Sequence, residues 1–336
     1  MITRAAEAPP SPSAVSLDAA ADAAARLPRL HSFLVSWRGS LVLERYYNGA
    51  RPARLANIKS ASKSVISALI GIAIDRGLIA GVRQPIASYF PHLLGTGADA
   101  VKQEITVEDL LTMRAGLETT SNRNYGRWVQ SGDWVRYALN QPLLYPPGTT
   151  MEYSTGNAHL LSAILTRVTG ASTWQFAQQA LAQPLGFSLA QWPRDPQGVY
   201  FGGNDMLMTP RQMIAFGELY LNRGRTGAQQ IIPTAWVEAS FVPRAQSRRE
   251  SDRLYGYGWW IRELGGRQAF YAWGYGGQFI FVVPELDLVV VTTSSTAVSQ
   301  ERRSHLRAIY DLVSRGVIEV VASNTAPDAI SAGRLP

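Results

Sequence analysis

The sequence predicts an α/β (α+β) fold, a largely antiparallel sheet flanked by terminal helices, with an all-α lobe inserted into the chain. Three observations predict it. An apolar hairpin stands near the start, further strand runs stand near the end, and the long stretch between them reads as helices. The chain has 336 residues, 46% of them apolar. That length suits one large domain or two lobes and can bury a real core.

Taken in order, residues 1–30 form an N-terminal segment rich in Ala, Pro and Ser, with an Ala-rich helix over 16–27 opened by Ser16. They lack a basic stretch followed by an apolar one, so they do not read as a secretory leader. The expected location is cytoplasmic as written, or periplasmic if a leader has been removed. His31–Trp37 and Leu41–Tyr47 flank Arg38-Gly39, which predicts a β-hairpin. Ser64–Ile74 is apolar nearly all round, so that helix is buried on every side and ends near Gly77.

Further helices follow. One starts near Ile105, with Thr106 and Asp109 at capping-box spacing. Others cover 133–139, 157–168 up to Gly170, 173–183 with Ser172 and Gln175 as a box, and 211–222 behind Thr209-Pro210-Arg211-Gln212. Strands then return. Tyr255–Arg262 and Arg267–Trp273 flank Gly265-Gly266, a turn of the positive-φ type. Gln278–Val283 and Leu288–Thr293 flank 284–287, and a last helix covers 299–315. The expectation is a sheet of about five or six strands. The expected division is a catalytic domain over 31–320, with an α/β lobe from 31–63 plus 241–320, a helical lobe over 64–240, and a flexible tail over 321–336.

Composition excludes several function classes. There is no Cys, so disulfides, thiolate metal sites and a cysteine nucleophile are ruled out. His31, His92, His159 and His305 lie far apart in sequence, and no metal site or cofactor is expected. No apolar run is long enough to span a bilayer. The net charge is +7, but its 29 Arg are scattered among acids, so no nucleic-acid partner is expected. Only three Lys occur, Lys59, Lys63 and Lys102. Oligomeric state is not readable.

Three segments can carry chemistry. In Ser60-Ala61-Ser62-Lys63 a serine needs a base, and a Lys three residues on lies one helical turn away on the same face. Burial and the helix N-terminus both disfavour its ammonium form. The Ser60 N–H can also donate to an oxyanion. Tyr153-Ser154 follows a Pro-Pro-Gly turn. Its phenol could shuttle a proton, although by chemistry alone an ordinary tyrosine at a turn is the favoured reading. Trp273-Gly274-Tyr275-Gly276-Gly277-Gln278 reads either as a hairpin turn or as a strand end lending an N–H to an oxyanion hole. Tyr125, Trp128, Trp134, Trp259, Trp260 and Tyr271 lie in segments that could border the cleft, although alternating aromatics in strands read more often as core than as pocket walls. Arg123 and Arg127 read as a solvated loop or as contacts for an anionic substrate.

Together these motifs resemble the serine β-lactamase and penicillin-binding-protein superfamily. The resemblance covers about residues 30–315 and is to the class C-like branch, which includes family VIII esterases, D-aminopeptidases and 6-aminohexanoate-dimer hydrolases. Ile105–Leu117, Pro147–Ser154, Met208–Met213 and Gly276–Pro284 also match that branch. The resemblance implies a β-lactamase/transpeptidase-like fold with the site between an α/β lobe and an all-α lobe. It implies Ser60 as the acylated nucleophile and Lys63 with Tyr153 as the proton-transfer pair. The Ser60 N–H and the N–H of Tyr275 or Gly276 would form the oxyanion hole. Thr155, Tyr125, Trp273 and Gly274 are pocket candidates.

Two departures matter. No Lys follows Lys102, so the Lys-Thr-Gly motif of true β-lactamases is absent, and Trp273-Gly274-Tyr275 or Gly274-Tyr275-Gly276 takes its place. Thr155 stands where the branch usually has Asn, and it cannot offer an amide's paired donor and acceptor. The expected activity is hydrolysis of small esters or amides through an acyl-enzyme. Alternatives are a 6-aminohexanoate-oligomer or D-amino-acid amide hydrolase, and a β-lactamase or non-catalytic penicillin-recognition module. β-Lactam hydrolysis is expected to be slow or absent.

Overall fold

The computed structural model describes residues 16–94 and 97–325. Residues 1–15 of the N-terminal segment and 326–336 of the tail lie outside the described residues. The sheet strands are β1 (Leu30–Trp37), β2 (Ser40–Tyr46), β3 (Ala245–Gln246), β4 (Leu254–Tyr255), β5 (Trp260–Leu264), β6 (Arg267–Gly274), β7 (Gln278–Val283) and β8 (Leu288–Ser294). Their order is β2-β1-β8-β7-β6-β5-β4-β3, and every neighbouring pair is antiparallel. The first strands thus join the last one, closing sequence-distant hairpins into one sheet.

This is the predicted fold class with more strands than expected. The reading of Tyr255–Arg262 as one strand is corrected. The segment splits into β4 and β5, because Gly256–Gly258 loops out to meet a helix. The Gly265-Gly266 turn has positive φ at both residues, as its sequence predicts.

Alternation along the strands gives the sheet two buried faces. On one, Leu34, Ile280, Val282, Val289 and Val291 pack with the helical side of the molecule. On the other, Phe33, Val35, Phe279, Phe281 and Val290 pack under the terminal helices. Those helices are α1 (Asp18–Ala25), α7 (Arg302–Val313) and α8 (Glu319–Thr325), with a π-turn joining the last two. α8 runs past residue 321, where the sequence predicts the tail to begin.

Between the strand blocks lie α2 (Ser62–Asp75), α3 (Val107–Leu111), α4 (Thr155–Thr169), α5 (Thr173–Ala177) and α6 (Pro210–Leu221), with further short helices at Tyr125–Val129, Trp134–Leu139 and Thr234–Ser240. Capping boxes form at Thr106/Asp109, Ser172/Gln175 and Thr209/Gln212, satisfying the free N–H groups of α3, α5 and α6. Twelve α2 residues are buried, from Ser62 to Ala73, as an apolar sequence with no polar face requires. None of the described helices is long and apolar enough to cross a membrane.

Candidate active site

Ser60 sits in a 3₁₀ turn, Lys59–Ala61, that leads directly into α2. Lys59 takes a left-handed backbone conformation (φ 52°), rare for a residue with a side chain. Its N–H donates to Asn57 Oδ1 at 3.0 Å, and its ammonium meets Asp205 Oδ1 at 2.6 Å. Asn57 Nδ2 bonds the same Asp205 oxygen at 2.7 Å. Asp205 therefore ties down the residue before Ser60.

α2 is held to the sheet side by hydroxyls. Ser64 Oγ donates to the Gly258 carbonyl at 2.6 Å and Ser67 Oγ to the Tyr257 carbonyl at 2.8 Å. On the other flank, β6 touches the turn through Gly274. A Cβ there would lie 2.0 Å from the Ile58 carbonyl oxygen, so only glycine permits this approach. The strand end Gly274–Gly276 is thereby carried alongside Ser60. Neither the Tyr275 nor the Gly276 N–H is taken by a backbone acceptor among the described residues.

Lys63 is buried on α2. Its Nζ lies 3.0 Å from Ser60 Oγ, 2.7 Å from the Gly203 carbonyl and 3.3 Å from Thr155 Oγ1. Burial pulls its pKa down to about 7, partly countered by the Asp205 charge. Gly203 fits only because it has no side chain, since a Cβ would meet Ala158 Cβ at 2.9 Å and Lys63 Cε at 3.2 Å. Thr155 is fixed in turn by Ser121, whose Oγ is 2.8 Å from both the Thr155 hydroxyl and its N–H.

Tyr153 packs its ring 4.9 Å from Lys63 Nζ and 5.6 Å from the Trp260 ring. Burial raises the phenol to about 12, against a lowering contribution from the Ser60 hydroxyl. Ser60, Lys63 and Tyr153 thus form one cluster at the junction of α2, the sheet and the segment before α4. A cleft of about 1300 Å³ opens over it, lined by Ser60, Asn122, Tyr153, Trp260, Trp273 and Tyr275 among others.

The remaining sequence candidates distribute as follows. Trp273 and Tyr275 line the cleft, and Gly274 and Gly276 form the backbone behind them. Thr155 stands behind Lys63 rather than on the cleft wall. Tyr125 stacks on Phe201 and accepts a bond from Asn204, away from the cleft lining. Trp128, Trp134, Trp259 and Tyr271 are core. Arg123 pairs with Glu118 on an exposed loop. Sequence reasoning missed Gly203, Asp205 and Ser121, which surround Lys63 and Ser60 from distant segments. A Gly202-Gly203 pair was the one local signal available.

The Beta-lactamase family model matches residues 31–314. The chain belongs to the beta-lactamase family. It is accordingly a serine hydrolase of that family, and its mixed sheet-and-helix architecture is the β-lactamase/transpeptidase-like fold. It is 26% identical to a 6-aminohexanoate-dimer hydrolase from Paenarthrobacter ureafaciens, over 90% of this chain and 84% of that protein. Among solved structures it is similar to a provisionally assigned 6-aminohexanoate-dimer hydrolase from Bacillus anthracis (TM-score 0.73, 21% identity, 88% of this chain and 80% of that one). It is also similar to a provisionally assigned beta-lactamase from Bacteroides dorei DSM 17855 (TM-score 0.75, 18% identity, 91% and 98%).

Proposed function

We propose that this beta-lactamase-family hydrolase cleaves small esters or amides through a covalent acyl-enzyme on Ser60. The observation that carries the reading is the 3.0 Å approach of a buried, pKa-lowered Lys63 amine to the Ser60 hydroxyl. A neutral amine accepts the Ser60 proton as Oγ attacks the carbonyl carbon. The Ser60 N–H and the N–H of Tyr275 or Gly276 stabilise the oxyanion. Collapse breaks the ester or amide bond, and the proton returns from Lys63 by way of Tyr153 to the leaving oxygen or nitrogen. Water then attacks the acyl-enzyme, gives its proton to Lys63 and releases the acid, and Ser60 is reprotonated.

The raised phenol pKa supports Tyr153 as a neutral relay and donor, and the lowered amine supports Lys63 as the base. Trp273 is a wall of the substrate cleft in this reading, whereas Thr155 contacts Lys63 from behind and Gly274 lies against Ile58. A linear amide is the second reading, favoured by the 6-aminohexanoate-dimer hydrolase of P. ureafaciens. Rates on a short p-nitrophenyl ester, a linear amide and a chromogenic cephalosporin, in wild type and Ser60→Ala, test the proposal. Ester or amide turnover lost in Ser60→Ala supports it. Equal inertness of both proteins, or a dominant cephalosporin rate, contradicts it.

A further inference from the structure

We propose that the cleft carries a second binding site, centred on Arg253, for a carboxylate on the substrate. This rests on the ester or amide reading above and narrows its substrate class. Arg253 lines the cleft yet is only 6% exposed. Its guanidinium lies 4.8 Å from the Trp273 ring, 5.6 Å from Trp260 and 5.8 Å from Tyr310. Nη2 donates to the half-exposed Glu250 at 2.6 Å, whereas the buried Nε finds no acceptor.

Two neighbouring buried donors are also unmatched, Trp273 Nε1 and Arg262 Nε. Arg262 sits 5.0 Å over the Tyr310 ring, with its Nη2 on Asp252. Arg and Trp side chains only donate, so these three groups cannot satisfy one another, and the buried hydroxyls of Tyr271 and Tyr310 beside them carry no charge to match two guanidinium groups. What complements them is an acceptor with several lone pairs. A carboxylate supplies that, and a guanidinium binds it with paired hydrogen bonds. Charge points the same way, since seven arginines and three acids line the cleft.

The site is within reach of the reaction centre. Trp260 lies between the two, 5.6 Å from the Tyr153 ring and 5.6 Å from the Arg253 guanidinium. A substrate spans both by laying a short apolar spacer over Trp260 and Trp273.

Two matched ester pairs probe the two sides of the scissile bond. They are p-nitrophenyl hydrogen adipate against p-nitrophenyl hexanoate, and 4-acetoxybenzoate against its methyl ester. Rates are normalised to uncatalysed hydrolysis. The expected result is a kcat/KM about tenfold or more higher for the charged member of one pair, expressed mainly in KM. Arg253→Gln and Trp273→Phe bring that ratio toward unity, and Arg253→Lys retains part of it. Reading the ratio cancels any general loss of activity. A wild-type ratio near unity in both pairs, or a preference that survives Arg253→Gln and Trp273→Phe, overturns the proposal. If no ester is turned over, the hydrolase reading fails instead. Calorimetric binding of adipate then decides the anion site, with tighter binding to wild type than to Trp273→Phe supporting it and equal or absent binding overturning it.

Discussion

Lys63 Nζ and Ser60 Oγ stand 3.0 Å apart at the start of one buried helix, with the Gly203 carbonyl holding the amine from the other side. The amine's pKa is lowered to about 7 by burial. Its neutral, proton-accepting form therefore grows as pH rises through that value. The kcat/KM for a neutral ester should rise about tenfold per unit on the acid side and level off above pH 7. A flat profile between pH 5 and 9 would exclude Lys63 as the base.

Replacing Lys63 by Arg keeps a positive charge but removes an amine that can deprotonate near neutrality. Activity on a short p-nitrophenyl ester should fall by roughly 10²–10⁴-fold. Retention of more than a tenth of wild-type kcat by a folded Lys63→Arg protein would point to another base.

Asp205 carries two duties, bonding Lys59 and Asn57 and raising the Lys63 pKa by its charge. In Asp205→Asn that charge is gone, so the ammonium loses support and the Lys63 pKa falls further. The unpaired Lys59 ammonium pushes in the same direction. The acid limb of the pH profile should move to lower pH. Movement to higher pH would contradict the electrostatic assignment.

Gly274 is where β6 touches the turn before Ser60, with 2.0 Å between its missing Cβ and the Ile58 oxygen. Gly274→Ala should force the strand end away, costing about 1–3 kcal/mol of stability by overpacking. A chemical-denaturation curve and kcat on the same sample check this. Because the strand end runs alongside the Ser60 turn, kcat should drop even where the fold is retained. Unchanged kcat in a destabilised protein would remove Tyr275 and Gly276 from the oxyanion hole.

The local half of this site was legible in the sequence. Ser60 and Lys63 share one helical turn, and Lys63 is one of only three lysines in the chain. The hairpins and capping boxes were legible for the same reason, since each depends on residues a few positions apart. The other half was not. Gly203 and Asp205 reach Lys63 and Lys59 from some 140 residues away, and no local pattern encodes that meeting. Trp260 was ambiguous because a strand aromatic facing a cleft looks like one facing a core until the neighbouring layer is known. The two-residue strands β3 and β4 carry too little alternation to announce themselves.

The central claim is that Ser60 is the residue that becomes acylated. Intact-mass spectrometry after treatment with a fluorophosphonate tests it most directly. A single adduct that maps to the Ser60 peptide, and is absent from Ser60→Ala, is the predicted result. An unmodified wild type, or an adduct that persists in Ser60→Ala, would contradict it.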